Sequence, residues 1–80
     1  MIQNLDRITF NPKIMNGQAC IRDMRVPVSL VLNLLGNGKT TTEIIADYPY
    51  LEEKDIEQSL LYGAWLAREQ YYPKISESVK

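Results

Sequence analysis

Four carboxylates crowd one short stretch of this chain: Glu52, Glu53, Asp55 and Glu57. Acidic clusters are the raw material of divalent-cation sites. Their spacing points elsewhere. Neighbouring helical positions fan out around the axis, so these four do not converge on one point. Carboxylates in a first helical turn are already accounted for by the positive end of the helix dipole. Gly38-Lys39-Thr40 imitates the end of a phosphate-binding loop, but Asn33 stands where that loop needs its first glycine, and the segment follows a helix rather than a strand. The chain has 0 histidines, which removes His bases, His metal ligands and Ser-His-Asp triads. Cys20 is alone, so it forms no intrachain disulfide and no cysteine zinc site. It reads as a small buried hydrophobe. No residue set supplies acid–base chemistry in a defined pocket. A non-enzyme is expected, with no catalytic residue, metal, cofactor or small-molecule substrate.

What remains is charge and apolar surface. The formal net charge of -1 hides an asymmetry. Residues 1–39 hold five Lys/Arg against two Asp/Glu, and residues 40–80 hold four against eight. A basic front and an acidic back point to two different partners. Arg7, Lys13, Arg22, Arg25 and Lys39 are the cations with which the front would meet phosphates. Arg22 and Arg25 lie three apart around a turn and could both face outward. The other reading is that they are solvated, or pair with Asp6 and Asp23.

The elements that must position these residues are short. Ile8-Thr9-Phe10 alternates as a half-buried strand does, and Ala19-Cys20-Ile21-Arg22 is a second strand candidate. Asn11-Pro12 and Asn16-Gly17 mark turns. Residues 1–27 therefore read as a β arm. Residues 28–70 read as three helices, and residues 71–80 as a tail. Pro27 suits the first turn of a helix running from Val28 to about Leu35, which Gly36-Asn37-Gly38 stops. Thr40 and Glu43 form a capping box for a helix over Thr41 to Asp47. The third helix starts near Glu52 and runs to Glu69 or Gln70. Ile56, Leu60, Ala64 and Ala67 form one stripe on it; Leu61, Trp65 and Tyr72 form another, and Tyr62 with Leu66 a third. Its second half is apolar on nearly every side, which predicts burial all round. At 80 residues the chain has too little core to supply that cover, so a dimer or a stable partner is expected. Leu61, Tyr62, Trp65, Leu66, Tyr71 and Tyr72 are the expected interface. The longest apolar stretch is far short of a membrane span, and the N-terminus lacks the basic start and apolar run of a signal peptide. A cytoplasmic protein is expected.

The run from Phe10 through Asn16-Gly17, Arg22 and Arg25-Val26-Pro27-Val28 resembles the opening motif of a known family. The resemblance continues through Asp47-Tyr48-Pro49, Leu51 and Asp55-Ile56. The family is the domain of unknown function four-three-three group, VapB-type antitoxin-like proteins, and the resemblance covers roughly residues 5–67. It implies a mainly α fold, with a three-helix, homeodomain-like helix-turn-helix core behind a small N-terminal β-hairpin arm. It also implies the antitoxin half of a toxin–antitoxin pair, binding operator DNA as a dimer and masking a PIN-like ribonuclease. Asn11 stands where the family usually has Asp, Ala19 where it has Pro, and Asp23-Met24 where it has Gly-Thr.

A helix-turn-helix sends its second helix into the major groove N-terminus first. Here that helix leads with Glu52, Glu53, Lys54, Asp55, Glu57 and Gln58. Lys54 and Gln58 suit DNA, whereas the carboxylates cost affinity. The alternative function is a protein-interaction module, or a stand-alone regulator, that does not touch DNA.

Overall fold

The computed structural model describes residues 5–69. In chain order they form β1 (Ile8–Thr9), a short 3-10 turn (Met15–Gly17), β2 (Cys20–Ile21), α1 (Val28–Gly36), α2 (Thr41–Asp47) and α3 (Glu53–Glu69). This is the mainly α fold with a small β arm that the sequence predicts. The tail expected at residues 71–80, with Tyr71 and Tyr72, lies outside the described residues.

β1 and β2 pair antiparallel, with Ile8 opposite Ile21 and Thr9 opposite Cys20. A further bridge joins Cys20 to Pro27. β2 is therefore the middle of the arm, with β1 on one side and the approach to α1 on the other. Between β2 and that approach the chain reverses over Ile21–Met24, where the Met24 N–H donates to the Ile21 carbonyl at 2.8 Å. Both central residues, Arg22 (φ 44°) and Asp23 (φ 56°), are left-handed. Tight hairpin turns require that geometry. Asp tolerates it through local hydrogen bonding, while it costs an arginine about 1 kcal/mol.

The helix boundaries follow from named caps. Pro27 stands just before α1, in extended backbone, one place earlier than a first-turn proline. At the other end Gly38 takes φ 94°. Its N–H donates to the Leu35 carbonyl, and the Lys39 N–H reaches back to Leu34, both at 3.0 Å. These two bonds satisfy carbonyls that the helix end would otherwise orphan. The capping box of α2 is present: Glu43 N–H donates to Thr40 Oγ1 at 3.1 Å, and Thr40 N–H donates to Glu43 Oε1 at 2.9 Å. α3 begins at Glu53, with Glu52 just outside it accepting from the N–H groups of Asp55 and Ile56.

Leu5, Ile8, Ile21, Val26, Val28, Val31, Ile44, Leu51 and Ile56 form the core. Of the apolar residues of α1, Val28 and Val31 are fully buried, whereas Leu30, Leu34 and Leu35 pack half-buried against the cluster. α3 supplies the core with Ile56, and buries Asp55, Gln58 and Ser59 beside it. Its second half is not enclosed. Leu60 is 49% and Leu61 52% exposed, because the arm and α1 cover one side of α3 while, among the described residues, the opposite side is left largely uncovered. Among the described residues, no helix is long and apolar enough to cross a membrane.

Candidate functional site

Asp55 is the most connected side chain in the fold, and it is 0% exposed. It sits in the first turn of α3, where its Oδ2 accepts from the Glu52 N–H at 2.8 Å. Glu43 makes the same reach back at the start of α2. Arg22 grips the carboxylate with both arms of its fork, Nε to Oδ1 at 3.1 Å and Nη2 to Oδ2 at 2.7 Å. The same Nη2 also donates to the Tyr50 carbonyl at 2.9 Å. Arg7 adds Nη1 to Oδ1 at 3.0 Å, and pairs with Glu52 at 2.6 Å. A planar guanidinium matches a carboxylate in this two-toothed geometry, which a lysine cannot reproduce.

Burial by itself would push the Asp55 carboxyl up. The Arg22 fork, the Glu52 N–H and the Arg7 bond outweigh burial and hold it below the usual carboxylate range. The partners respond in kind. Glu52 and then Asp55 raise the Arg7 guanidinium, and Asp55 raises that of Arg22. Beside this knot Gln58 donates to Asp6 at 2.9 Å and accepts from the Arg7 N–H at 2.9 Å. Ser59 Oγ donates to the Asp55 carbonyl at 2.8 Å. Among the described residues no buried side-chain polar atom lacks a partner. Every buried polar atom of the knot is thus bonded to another group of the same chain.

The cations expected to face DNA are thus divided. Arg7, Arg22 and Gln58 turn inward onto α3 and Asp6, instead of forming an outward patch. The reason is electrostatic: a carboxylate buried at the start of α3 would be costly without counter-charges. Asp6 and Asp23 are not the ion-pair partners of the arginines. Lys13 and Arg25 are exposed on the arm. Lys39 is exposed and faces Asp47 at 4.0 Å, and Lys54 faces Glu57 at 3.8 Å. Cys20 is buried, and burial, then the nearby Asp23, push its thiol up. Among the described residues no three His, Cys, Asp or Glu side chains come together around a cation-sized space.

The other end of α3 is apolar. Phe10 of the arm leans on Tyr62 with ring centroids 5.8 Å apart, and Tyr62 stacks with Trp65 at 6.1 Å. Gly63 lets α1 approach closely: a Cβ there would come within 3.1 Å of Leu32 Cδ1. Between α1, the arm and α3 lies an open groove of about 220 Å³, lined by Ala19, Val28, Ser29, Leu32, Tyr62 and Leu66. Of the expected interface residues, Tyr62 and Leu66 are half-buried in this groove, and Trp65 is half-buried beside Tyr62. Leu61 is exposed on the opposite side of the helix.

The model of a family described as protein of unknown function (DUF433) matches residues 8–63. The chain belongs to the DUF433 family. The solved structure of a DUF433 member protein from Anabaena variabilis resembles it with a TM-score of 0.70 and 31% identity, over 80% of this chain and 62% of that one. This chain therefore spans less than two thirds of that neighbour. A comparison with curated proteins gives no match. Within this DUF433 chain, the matched stretch takes in Arg22 and Asp55 and stops at Gly63, so Trp65, Leu66 and Arg68 lie beyond it.

Proposed function

We propose that this chain is a protein-interaction module of the antitoxin-like kind, which holds a partner protein in the groove between α1 and the second half of α3. The groove carries the reading: about 220 Å³, almost wholly apolar, with the Tyr62 ring, itself stacked on Trp65, in one wall. Apolar grooves of this shape take the apolar face of a helix or an extended segment. Tyr and Trp are favoured anchors at such contacts. The antitoxin-like resemblance supports a PIN-like ribonuclease as the partner's class. The acidic start of α3 favours a basic partner surface near that end. Operator DNA is the weaker reading, because Arg7 and Arg22 are committed to Asp55, and Glu52, Glu53 and Glu57 stand at the helix start that would enter the groove of DNA.

Co-expression with the product of the adjacent reading frame, followed by titration calorimetry, tests this. A complex is expected that Leu66→Asp and Ser29→Trp each weaken at least tenfold, while Lys13→Ala and Arg25→Ala leave it unchanged. Absence of a complex, together with a low-salt gel shift of the upstream DNA that Arg25→Ala abolishes, would reverse the order of the two readings.

A further inference from the structure

We propose that α3 also pairs with α3 of a second copy of this chain, antiparallel about a two-fold axis, along the seam Glu57, Leu61, Ala64 and Arg68. The proposal starts from the reading of this chain as an interaction module and concerns the side of α3 that the groove does not use.

The four residues follow a four-three-four spacing, which places them on one stripe of a helix. All four are exposed in the single chain. The stripe lies opposite the one that carries Asp55, Ser59 and Tyr62. Leu60 stands at its edge, 49% exposed, and Leu61 in its middle is 52% exposed. Two adjacent leucines half open to water on one short helix are an unusual use of apolar surface in a chain with so small a core.

The stripe is complementary to itself when reversed. Setting Glu57 opposite Arg68 of the partner subunit sets Leu61 opposite Ala64 of the partner subunit. The two-fold axis then repeats both contacts. Alanine lets the helix axes approach, and leucine fills the space so created. A parallel pair would instead stack Glu57 on Glu57 and Arg68 on Arg68, so charge selects the antiparallel direction.

The acidic end also has a receptacle. A hollow of about 170 Å³ lies between α2 and α3, lined by Thr41, Glu53, Ile56, Glu57 and Leu60. Its carboxylates and apolar wall suit the head and the aliphatic stem of an arginine. In the antiparallel pair that arginine is Arg68 of the partner subunit. Among the described residues Arg68 makes no ion pair, and Glu57 makes one, a loose exposed contact with Lys54 at 3.8 Å. Both ends are thus available for exchange.

The seam covers eleven residue steps, about 16 Å of helix. That is smaller than a standard interface of roughly 800 Å² per partner. The dimer is therefore expected to assemble at tens of micromolar rather than nanomolar concentration. The groove stays open in it, which gives two partner molecules per dimer.

Sedimentation velocity of the full chain from about 5 to 500 μM tests the pairing. Glu57→Arg and Arg68→Glu are each expected to weaken self-association at least tenfold. The double variant E57R/R68E is expected to restore it to within about threefold of the parent, since the pair is only exchanged. Leu61→Asp is expected to abolish it. All these positions are exposed, and circular dichroism checks that each variant stays folded. A chain monomeric throughout, a dimer indifferent to the single swaps, or a double variant no better than the singles would overturn the proposal. The partner complex is measured in parallel with Leu61→Asp. If that variant is monomeric yet binds the partner, the self-pairing stands apart from the groove. If the parent is monomeric and the partner still binds, the pairing alone falls.

Discussion

The two halves of α3 invert the usual relation between polarity and burial. In the first half an aspartate, a glutamine and a serine are buried, and each finds its partners within the chain. In the second half leucines, a tryptophan and a tyrosine are left open or half-open among the described residues. One half is polar and finished; the other is apolar and unfinished. Charge therefore joins the arm to the helices, and apolar surface is the part that the proposed function assigns to another molecule. In the proposed reading the same helix is an anchor at one end and an interface at the other.

The sharpest way to break this contrast is at Asp55. Asp55→Ala leaves Arg22 without its counter-charge and Arg7 with Glu52 alone, which costs about 3 kcal/mol, as removal of one member of a buried ion pair does. For a domain of this size that lowers the unfolding midpoint by roughly 12–24 °C. Asp55→Asn keeps one acceptor oxygen and is expected to lose less. Thermal denaturation followed by circular dichroism reads both. If Asp55→Ala melts with the parent, the polar half is not the anchor.

Acid should act on the same half with a smaller effect. Asp55 titrates lower in the folded chain than in the unfolded one, so the unfolded chain takes up its proton first. Its contribution is complete above the ordinary aspartate value of about 4, and is lost as pH falls through the lowered folded value. Asp6, held down chiefly by Gln58, and Glu43, held down chiefly by the Thr40 N–H, work in the same direction. Urea midpoints measured from pH 7 to pH 2.5 should fall below about pH 4 in the parent, and fall less in Asp55→Asn. Equal slopes would remove Asp55 from the account.

The smallest expected effect is a gain. Asp23 occupies a left-handed position at φ 56° in the turn that aims Arg22. Asp23→Gly should stabilise the chain by about 0.5 kcal/mol, because glycine adopts that backbone without steric cost. Urea denaturation at pH 7 would show it, and a loss would mean that the Asp23 side chain supports the turn.

Local rules carried most of the fold. Thr40 and Glu43 lie three residues apart, so the start of α2 is written within one turn of chain. Gly38 marks the end of α1 for an equally local reason. The knot at Asp55 was not legible in that way. Arg22 is 33 residues from Asp55 and Arg7 is 48, and no periodicity links an arm to a helix across such distances. The dipole already explained a carboxylate in the first turn of α3, and that explanation concealed the second role. One signal was present: Asp55, Ser59, Tyr62 and Leu66 share a four-three-four stripe, which places Asp55 on an inward face and calls for a counter-charge. The apolar second half of α3 was legible as a surface in need of cover. Which of its sides the arm and α1 would take depended on tertiary packing, including the close pass at Gly63.

The Arg22–Asp55 clasp has a consequence for the order in which the chain folds. It closes a loop of 33 residues, and Arg7 closes one of 48 onto the same carboxylate. Chain-closure entropy grows only with the logarithm of length, so the longer loop costs about 0.3 kcal/mol more than the shorter. Once β1 has zipped onto β2, even that difference shrinks, because Arg7 already travels with Arg22. The two arginines are then expected to reach the carboxylate as one unit once α3 has formed its first turn, and loss of that shared acceptor loosens both contacts together.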